Sequence, residues 1–189
     1  SRMLFNLNEI TTDHAVVGWG DPGLPDLHGM YWSSSNDFTE AMYYRLAQAV
    51  SFSNSFIKNA SELSGDEVSV FVAEARFLRA YAYYNLLDLY GNVPLTTEIS
   101  TELPTQSNRT ELFNFIESEL MDIESTLLAS NEYGRVDNIA AHALLSRLYL
   151  KKYFNSDKMN VNGSKYLSIA DSLAVISKPV IYQKRFSRI

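Results

Sequence analysis

The chain has no cysteine, and its 189 residues contain no unbroken apolar run of about 20 residues, the length that crosses a bilayer. The lack of cysteine excludes disulfides, thiolate metal sites and cysteine nucleophiles. The lack of a long apolar run argues against a membrane-spanning helix. The G-x-S-x-G, Walker and G-x-G-x-x-G strings are also missing. The most common motifs for hydrolysis and nucleotide binding are therefore absent.

Positive charge is scarce. Lysine and arginine number 16 against 22 aspartates and glutamates, which gives a net charge of -6. A nucleic-acid partner is not expected, because binding phosphates requires a basic face. The apolar share of 46% and the charged share of 20% are those of an ordinary globular protein that buries a sizeable core.

Glycine and proline are concentrated near the start of the chain and scarce in the middle. Residues 1–36 contain six of these helix-breaking residues: Gly18, Gly20, Pro22, Gly23, Pro25 and Gly29. The apolar residues there do not follow a helical spacing, so we predict an irregular segment. Residues 37–177 are predicted to form a helical domain, and residues 178–189 a tail.

Five helices are predicted in the helical domain from apolar spacing and from end signals. They cover Asp37 to about Ala60, Ser64 to Leu89 or Tyr90, 110–129, Asp137 to about Tyr153, and 164–177. Capping boxes are expected at Asp37–Glu40 and Ser64–Glu67. In the second helix, the predicted buried face repeats at helical spacing: Phe77, Ala80, Tyr81, Tyr84 and Leu87. Gly91 is placed for a left-handed cap, and Pro94 prevents continuation. Helices of this kind must pack pairwise, so we predict an all-α fold, an irregular stack of antiparallel helix hairpins that is tetratricopeptide-like.

An aromatic group lies in the Gly/Pro-rich start, next to polar side chains. Its members are Trp19, Asp21, Asp26, His28, Tyr31, Trp32 and Asn36. A sugar site needs flat aromatic faces together with carboxylates or amides that bond hydroxyls, and this group contains both. Alternatively, the three large rings seal the first helix pair. Both interpretations remain open from the sequence.

Other polar clusters carry weaker signals. Asp13-His14 and Asp26-x-His28 lack a third ligand at a supporting spacing, so no metal is expected. The asparagine-rich loop at 154–163 does not follow calcium-loop spacing. The acidic residues of the third helix are expected to form a solvated face: Glu117, Glu119, Asp122 and Glu124. No catalytic residue and no cofactor is predicted.

Several blocks resemble one known family. The run Glu74–Leu95, EARFLRAYAYYNLLDLYGNVPL, is similar to the helix-and-turn signature of the SusD/RagB family. Tyr43–Ile57, Ile116–Leu128, Tyr133–Leu150 and Tyr166–Ser177 resemble the family's other N-terminal helices in the expected order. The chain therefore looks like the N-terminal helical part of such a protein, with a SusD-like α-α superhelix.

The resemblance implies a function and a location. Family members are cell-surface proteins of the Gram-negative outer membrane, anchored by a lipid on a cysteine that would precede this chain. They capture oligosaccharides or polysaccharides, sometimes peptides, for a SusC-like TonB-dependent transporter, and they are not enzymes. The alternative is a tetratricopeptide-like scaffold that binds a protein and no small molecule.

Arg76 and Arg79 lie three residues apart on the second helix. They could contact a ligand, or they could be structural, bonding helix-end carbonyls or stacking on Tyr81 or Tyr84. The resemblance favours the structural role, because the family keeps this pattern while its ligands vary. Because an unpaired buried guanidinium is costly, we predict that each has a partner.

Overall fold

The computed structural model describes residues 2–155, and this part of the chain is helical. The six helices follow in chain order: α1 Arg2–Glu9, α2 Leu24–His28, α3 Asp37–Ala60, α4 Asp66–Leu89, α5 Arg109–Ile123 and α6 Asn138–Asn155. Within this range there is no strand beyond one isolated bridge, between Pro94 and Gln106. The all-α prediction is confirmed. The predicted helix at 164–177 and the tail at 178–189 lie outside the described residues.

Neighbouring long helices pair in antiparallel fashion. Asn54 near the end of α3 meets Arg79 of α4, and Tyr43 near its start meets Tyr90 just beyond α4. The α4–α5 pair is also antiparallel, because Tyr83 meets Phe115 while the earlier Arg76 meets the later Asp122. In the α5–α6 pair, Phe113 meets Tyr149, and Glu124 just beyond α5 meets the earlier His142. None of the helices in residues 2–155 has the length and apolar character needed to cross a bilayer.

The main hydrophobic core lies between α3, α4, α5 and α6. Its most deeply buried members are Tyr83, Leu112, Ile116, Leu120, Ile123 and Leu148. Helix α4 is central because it packs on α3 along one side and on α5 along another. Tyr81 was predicted to face inward, but it lies at the rim of the buried face. One side of its ring stacks on Phe77, and the other is exposed to solvent.

The prediction that residues 1–36 contain no helix is wrong. The breakers cluster in residues 18–29, so they leave α1 untouched, and α1 has an apolar face of Met3, Leu4 and Leu7 against the core. Pro25 lies in the first turn of α2, where a missing N–H is tolerated. Both helices border a small second cluster, Ile10, Leu24, Leu27 and Phe38.

The helix starts differ in detail from the predicted ones. Asn36, not Asp37, caps α3, because its side chain accepts hydrogen bonds from the amides of Phe38 and Thr39. Gly65 precedes α4 without any side-chain cap, so the predicted box at Ser64–Glu67 does not form. A full capping box instead joins Asn108 and Glu111 at α5.

The long α4–α5 connection is closed at its base. The amide of Ser107 donates to the carbonyl of Val93 (3.0 Å), next to the Pro94–Gln106 bridge. The side chain of Gln106 donates to the carbonyl of Asn92 at 2.9 Å. Residues 97–105 extend from this stem and are exposed.

Gly91 ends α4 as predicted, with a φ of 78° and its amide donating to the carbonyls of Leu86 and Leu87. A β-carbon here would lie 2.6 Å from the guanidinium of Arg109. We expect Gly91→Ala to lower the free energy of unfolding by about 1–2 kcal/mol, the usual cost of a left-handed L-residue. Urea denaturation followed by circular dichroism measures the loss. Gly18→Ala is the control, because nothing lies within 4 Å of a β-carbon at that glycine. Equal stability of the two variants would contradict the argument.

Candidate functional site

The aromatic segment, residues 18–36, presents its large rings to solvent. Trp19 is 50% exposed, Tyr31 67% and Trp32 40%. These rings therefore do not seal the first helix pair. The buried apolar residues of this region are instead the small cluster that includes Leu24 and Phe38. Exposed rings with free faces are the form in which aromatic side chains contact a sugar.

Asn36 holds the segment in place. Its side-chain nitrogen donates to the carbonyl of Gly23 at 2.8 Å, while its oxygen caps α3. This bond closes a loop of chain that contains Asp26, His28, Tyr31 and Trp32. Asn36 is itself buried, so its amide is occupied within the chain.

The turn before Tyr31 is tight. Met30 has a φ of 62°, and the amide of Tyr31 donates to the carbonyl of Asp26 at 3.1 Å. The ring of Tyr31 lies against the backbone of Gly29, where no β-carbon fits. The ring therefore lies next to Gly29, and most of its surface is exposed.

The other predicted site residues are placed around this turn. His28 is exposed, Asp26 is half-buried, and Asp21 forms an ion pair with Arg2. Among the described residues, no hydrogen bond or ring contact joins Trp19 to Tyr31 or Trp32. The structure thus joins Tyr31 to Asp26 through the backbone and Asn36 to Gly23 through its side chain, and Trp19 precedes the closed loop.

Arg76 and Arg79 both have partners, as predicted. The two share the carboxylate of Glu119: Nη2 of Arg76 lies 2.6 Å from Oε1, and Nη2 of Arg79 lies 2.6 Å from Oε2. Arg79 also donates to Asn54 at 2.8 Å and to the carbonyl of Thr97 at 3.3 Å. Hydrogen bonding to Glu119 raises the pKa of Arg76 above its ordinary value, against the opposing effect of burial. The structural interpretation of both arginines is therefore the correct one.

The partner of the two arginines was not predicted. Glu119 was assigned to a solvated face, and that is wrong, because it is buried between α4 and α5. The arginines were expected to contact Tyr81, Tyr84 or helix-end carbonyls, but they bond Glu119 instead. The ring contact of Arg79 is with Phe115, 5.5 Å from the ring centroid. Asn54 completes the network by donating to the carbonyl of Thr96 at 3.0 Å.

Metal-binding chemistry has little support in the described residues. No group of three or more His, Asp or Glu side chains there could hold an ion. His14 is 2.7 Å from the carboxylate of Glu9 and 2.9 Å from the hydroxyl of Thr12. The asparagine-rich loop at 154–163 falls almost entirely outside the described range.

The described residues thus form a stack of helix hairpins that carries exposed aromatic rings near its N-terminal end. Residues 25–150 match the profile of the SusD-like family, described as starch-binding and associating with the outer membrane. The chain belongs to this family, and the resemblance noted in its helices is confirmed. It is 36% identical over 152 residues to the starch-binding protein SusD of Bacteroides thetaiotaomicron. The match covers 79% of this chain and 28% of that protein, so the chain spans less than a third of this relative's length.

Solved structures share the fold. One protein, crystallised with a xylogluco-oligosaccharide, superposes with a TM-score of 0.76 at 21% identity, over 92% of this chain and 37% of its own. A laminarin-binding SusD-like protein superposes with a TM-score of 0.72 at 23% identity, over 81% of this chain and 35% of its own. The tetratricopeptide-like helical architecture is thereby confirmed.

Proposed function

We propose that this chain is part of a cell-surface protein that binds oligosaccharides or polysaccharides through the aromatic segment. The observation that carries the proposal is the exposure of Trp19, Tyr31 and Trp32 on a scaffold of a starch-binding family. Asp21, Asp26 and His28 supply groups that bond sugar hydroxyls. The exposure of Tyr31 supports this role, because a ligand can reach most of its ring.

The cellular setting belongs to the same proposal. A lipid-anchored position on the outer membrane and delivery of the glycan to a SusC-like TonB-dependent transporter complete it. The family description supports the location alone, because it names association with the outer membrane. Binding without hydrolysis fits the family. Co-purification of a TonB-dependent barrel with the tagged protein tests the partnership, and its absence under mild detergent counts against it.

Trp19→Ala is expected to weaken glycan binding about tenfold or more, because aromatic anchors dominate contact energies. Soluble starch, laminarin and xyloglucan are titrated against the protein. Both tryptophans lie in the aromatic segment, so intrinsic fluorescence reports on this region, and Trp32 remains as the reporter in the variant.

The matched control is Tyr133→Ala, which removes a fully exposed ring on the α5–α6 connection and should leave the affinity unchanged. Calorimetry with the same glycans checks the fluorescence result. If the unmodified protein binds none of the three, the glycan proposal fails and the protein-binding scaffold takes its place.

A further inference from the structure

A second concave surface lies beside the aromatic segment, where α3 begins and α4 ends. We name it the tyrosine cleft; its volume is ≈ 380 Å³. Its lining residues are Ser34, Ser35, Thr39, Glu40, Tyr43, Tyr44 and Tyr90. This volume falls in the range of pockets that hold small ligands.

The walls of the tyrosine cleft are held in place before any ligand binds. Tyr43 meets Tyr90 edge to face at 5.3 Å and meets Tyr44 edge to face at 6.2 Å. The hydroxyl of Tyr90 donates to the carbonyl of Thr39 at 2.7 Å, which ties the end of α4 to the first turn of α3. Burial raises the pKa of Tyr90 to about 12, so this hydroxyl stays a donor at physiological pH.

The cleft also presents unused binding groups. Tyr44 is 62% exposed. Ser34, Ser35 and Glu40 also line the cleft and are exposed. An exposed aromatic ring and several hydrogen-bonding groups are thus found together.

These groups favour a neutral polyhydroxylated ligand. Of the residues lining the cleft, Glu40 alone is charged, and a carboxylate repels phosphates and other anions. The rings of Tyr43, Tyr44 and Tyr90 pack on one another edge to face, and Tyr44 is the one that is largely exposed. A sugar ring fits, because its C–H face can lie on Tyr44 while its hydroxyls bond Glu40 and the serines.

The position of the cleft ties it to the aromatic segment. Ser34 and Ser35 follow Trp32 within three residues, a separation of at most about 11 Å of extended chain. One oligosaccharide of several rings can therefore reach both surfaces. We propose that the tyrosine cleft is a second sugar-binding subsite, which holds a further ring of the oligosaccharide bound at the aromatic segment. This inference rests on the proposed function.

The test compares short and long ligands. The disaccharide and heptasaccharide of the glucan that binds in the titration above, maltose and maltoheptaose or their laminarin counterparts, are titrated by calorimetry. Tyr44→Ala is expected to weaken heptasaccharide binding about fivefold to tenfold and to leave disaccharide binding unchanged, because only the longer ligand reaches the cleft. Tyr44→Phe, which keeps the ring face, should retain most of the affinity.

Phe52→Ala is the matched control, since it removes another exposed ring of α3 that does not line the cleft. If Tyr44→Ala matches the unmodified protein at both lengths while Trp19→Ala weakens binding, the second subsite is refuted and the proposed function stands. Equal losses at both lengths would also refute it, because Tyr44 would then belong to the first subsite. If no glucan binds the unmodified protein, both proposals fail.

Discussion

Replacing Glu119 by alanine is expected to lower the free energy of unfolding by about 3–5 kcal/mol, the range for breaking one side of a buried ion pair. The carboxylate bonds Arg76 through one oxygen and Arg79 through the other. Arg79 is almost completely buried, so the variant leaves a guanidinium without its counter-charge in the core. Guanidinium chloride or urea unfolding, followed by far-UV circular dichroism, measures the change.

Two carboxylates on the same helix serve as controls. Asp122 contacts Arg76 at 3.2 Å but is largely exposed, so Asp122→Ala should cost less than about 1 kcal/mol. Glu117 lies two residues before Glu119 and makes no contact with either arginine, so Glu117→Ala should be near neutral. Similar losses for all three variants would show that the buried position of Glu119 has no special weight.

Tyr83→Ala is expected to cost about 3–5 kcal/mol, the range for truncating a large buried aromatic side chain. Tyr83 is 1% exposed and meets Phe115 edge to face at 5.3 Å. Its hydroxyl accepts from the amide of Thr96 at 2.7 Å and donates to the carbonyl of Thr96 at 3.0 Å. The variant therefore opens a cavity and also releases the start of the α4–α5 connection.

Two variants separate these effects. Tyr83→Phe keeps the ring and removes the hydroxyl, so it should cost about 1–2 kcal/mol and speed hydrogen exchange at the amide of Thr96. Tyr81→Ala truncates the same residue type two positions away, at the rim of the core, and should cost clearly less than Tyr83→Ala. Protection of Thr96 that survives Tyr83→Phe would contradict the proposed anchoring.

The long helices could be predicted because local signals suffice for them. The helix α4 combines a regular apolar spacing with a glycine at the required left-handed position and a proline beyond it. The helix α1 was missed because it is short and borders a segment full of breakers. Its burial depends on α3, a partner that local sequence does not reveal.

The buried polar network shows where pattern reading fell short. Glu119 was grouped with its acidic neighbours, yet it follows Ile116 by three residues and precedes Ile123 by four, which places it on the buried stripe of α5. Asn54 occupies the same kind of position, four residues after Val50 on α3. A polar residue within an apolar stripe was therefore a usable signal. The pairing of Glu119 with Arg79, 40 residues away, could be seen only in the tertiary structure.

The candidate site was predictable in composition but not in exposure. The residue types around Trp19 and Tyr31 suggested a sugar surface, but the sequence did not show whether the rings face solvent or the core. The tyrosine cleft escaped prediction because Tyr44 lies near the start of α3 while Tyr90 lies just beyond the end of α4, far away in the sequence. Only the antiparallel packing of α3 on α4 brings them together.

Because the stem of the α4–α5 connection is closed, residues 97–105 are a suitable site for inserting a tag or a label. Both ends of this loop are fixed by hydrogen bonds of Asn92 and Val93, so changes at its tip do not propagate into the helices. Doubling the length of such a loop costs only about 0.6 kcal/mol in closure entropy, which leaves room for an epitope tag. Since the chain has no cysteine, Thr101→Cys introduces a unique thiol for a fluorescent dye and allows energy transfer from the loop to a labelled glycan.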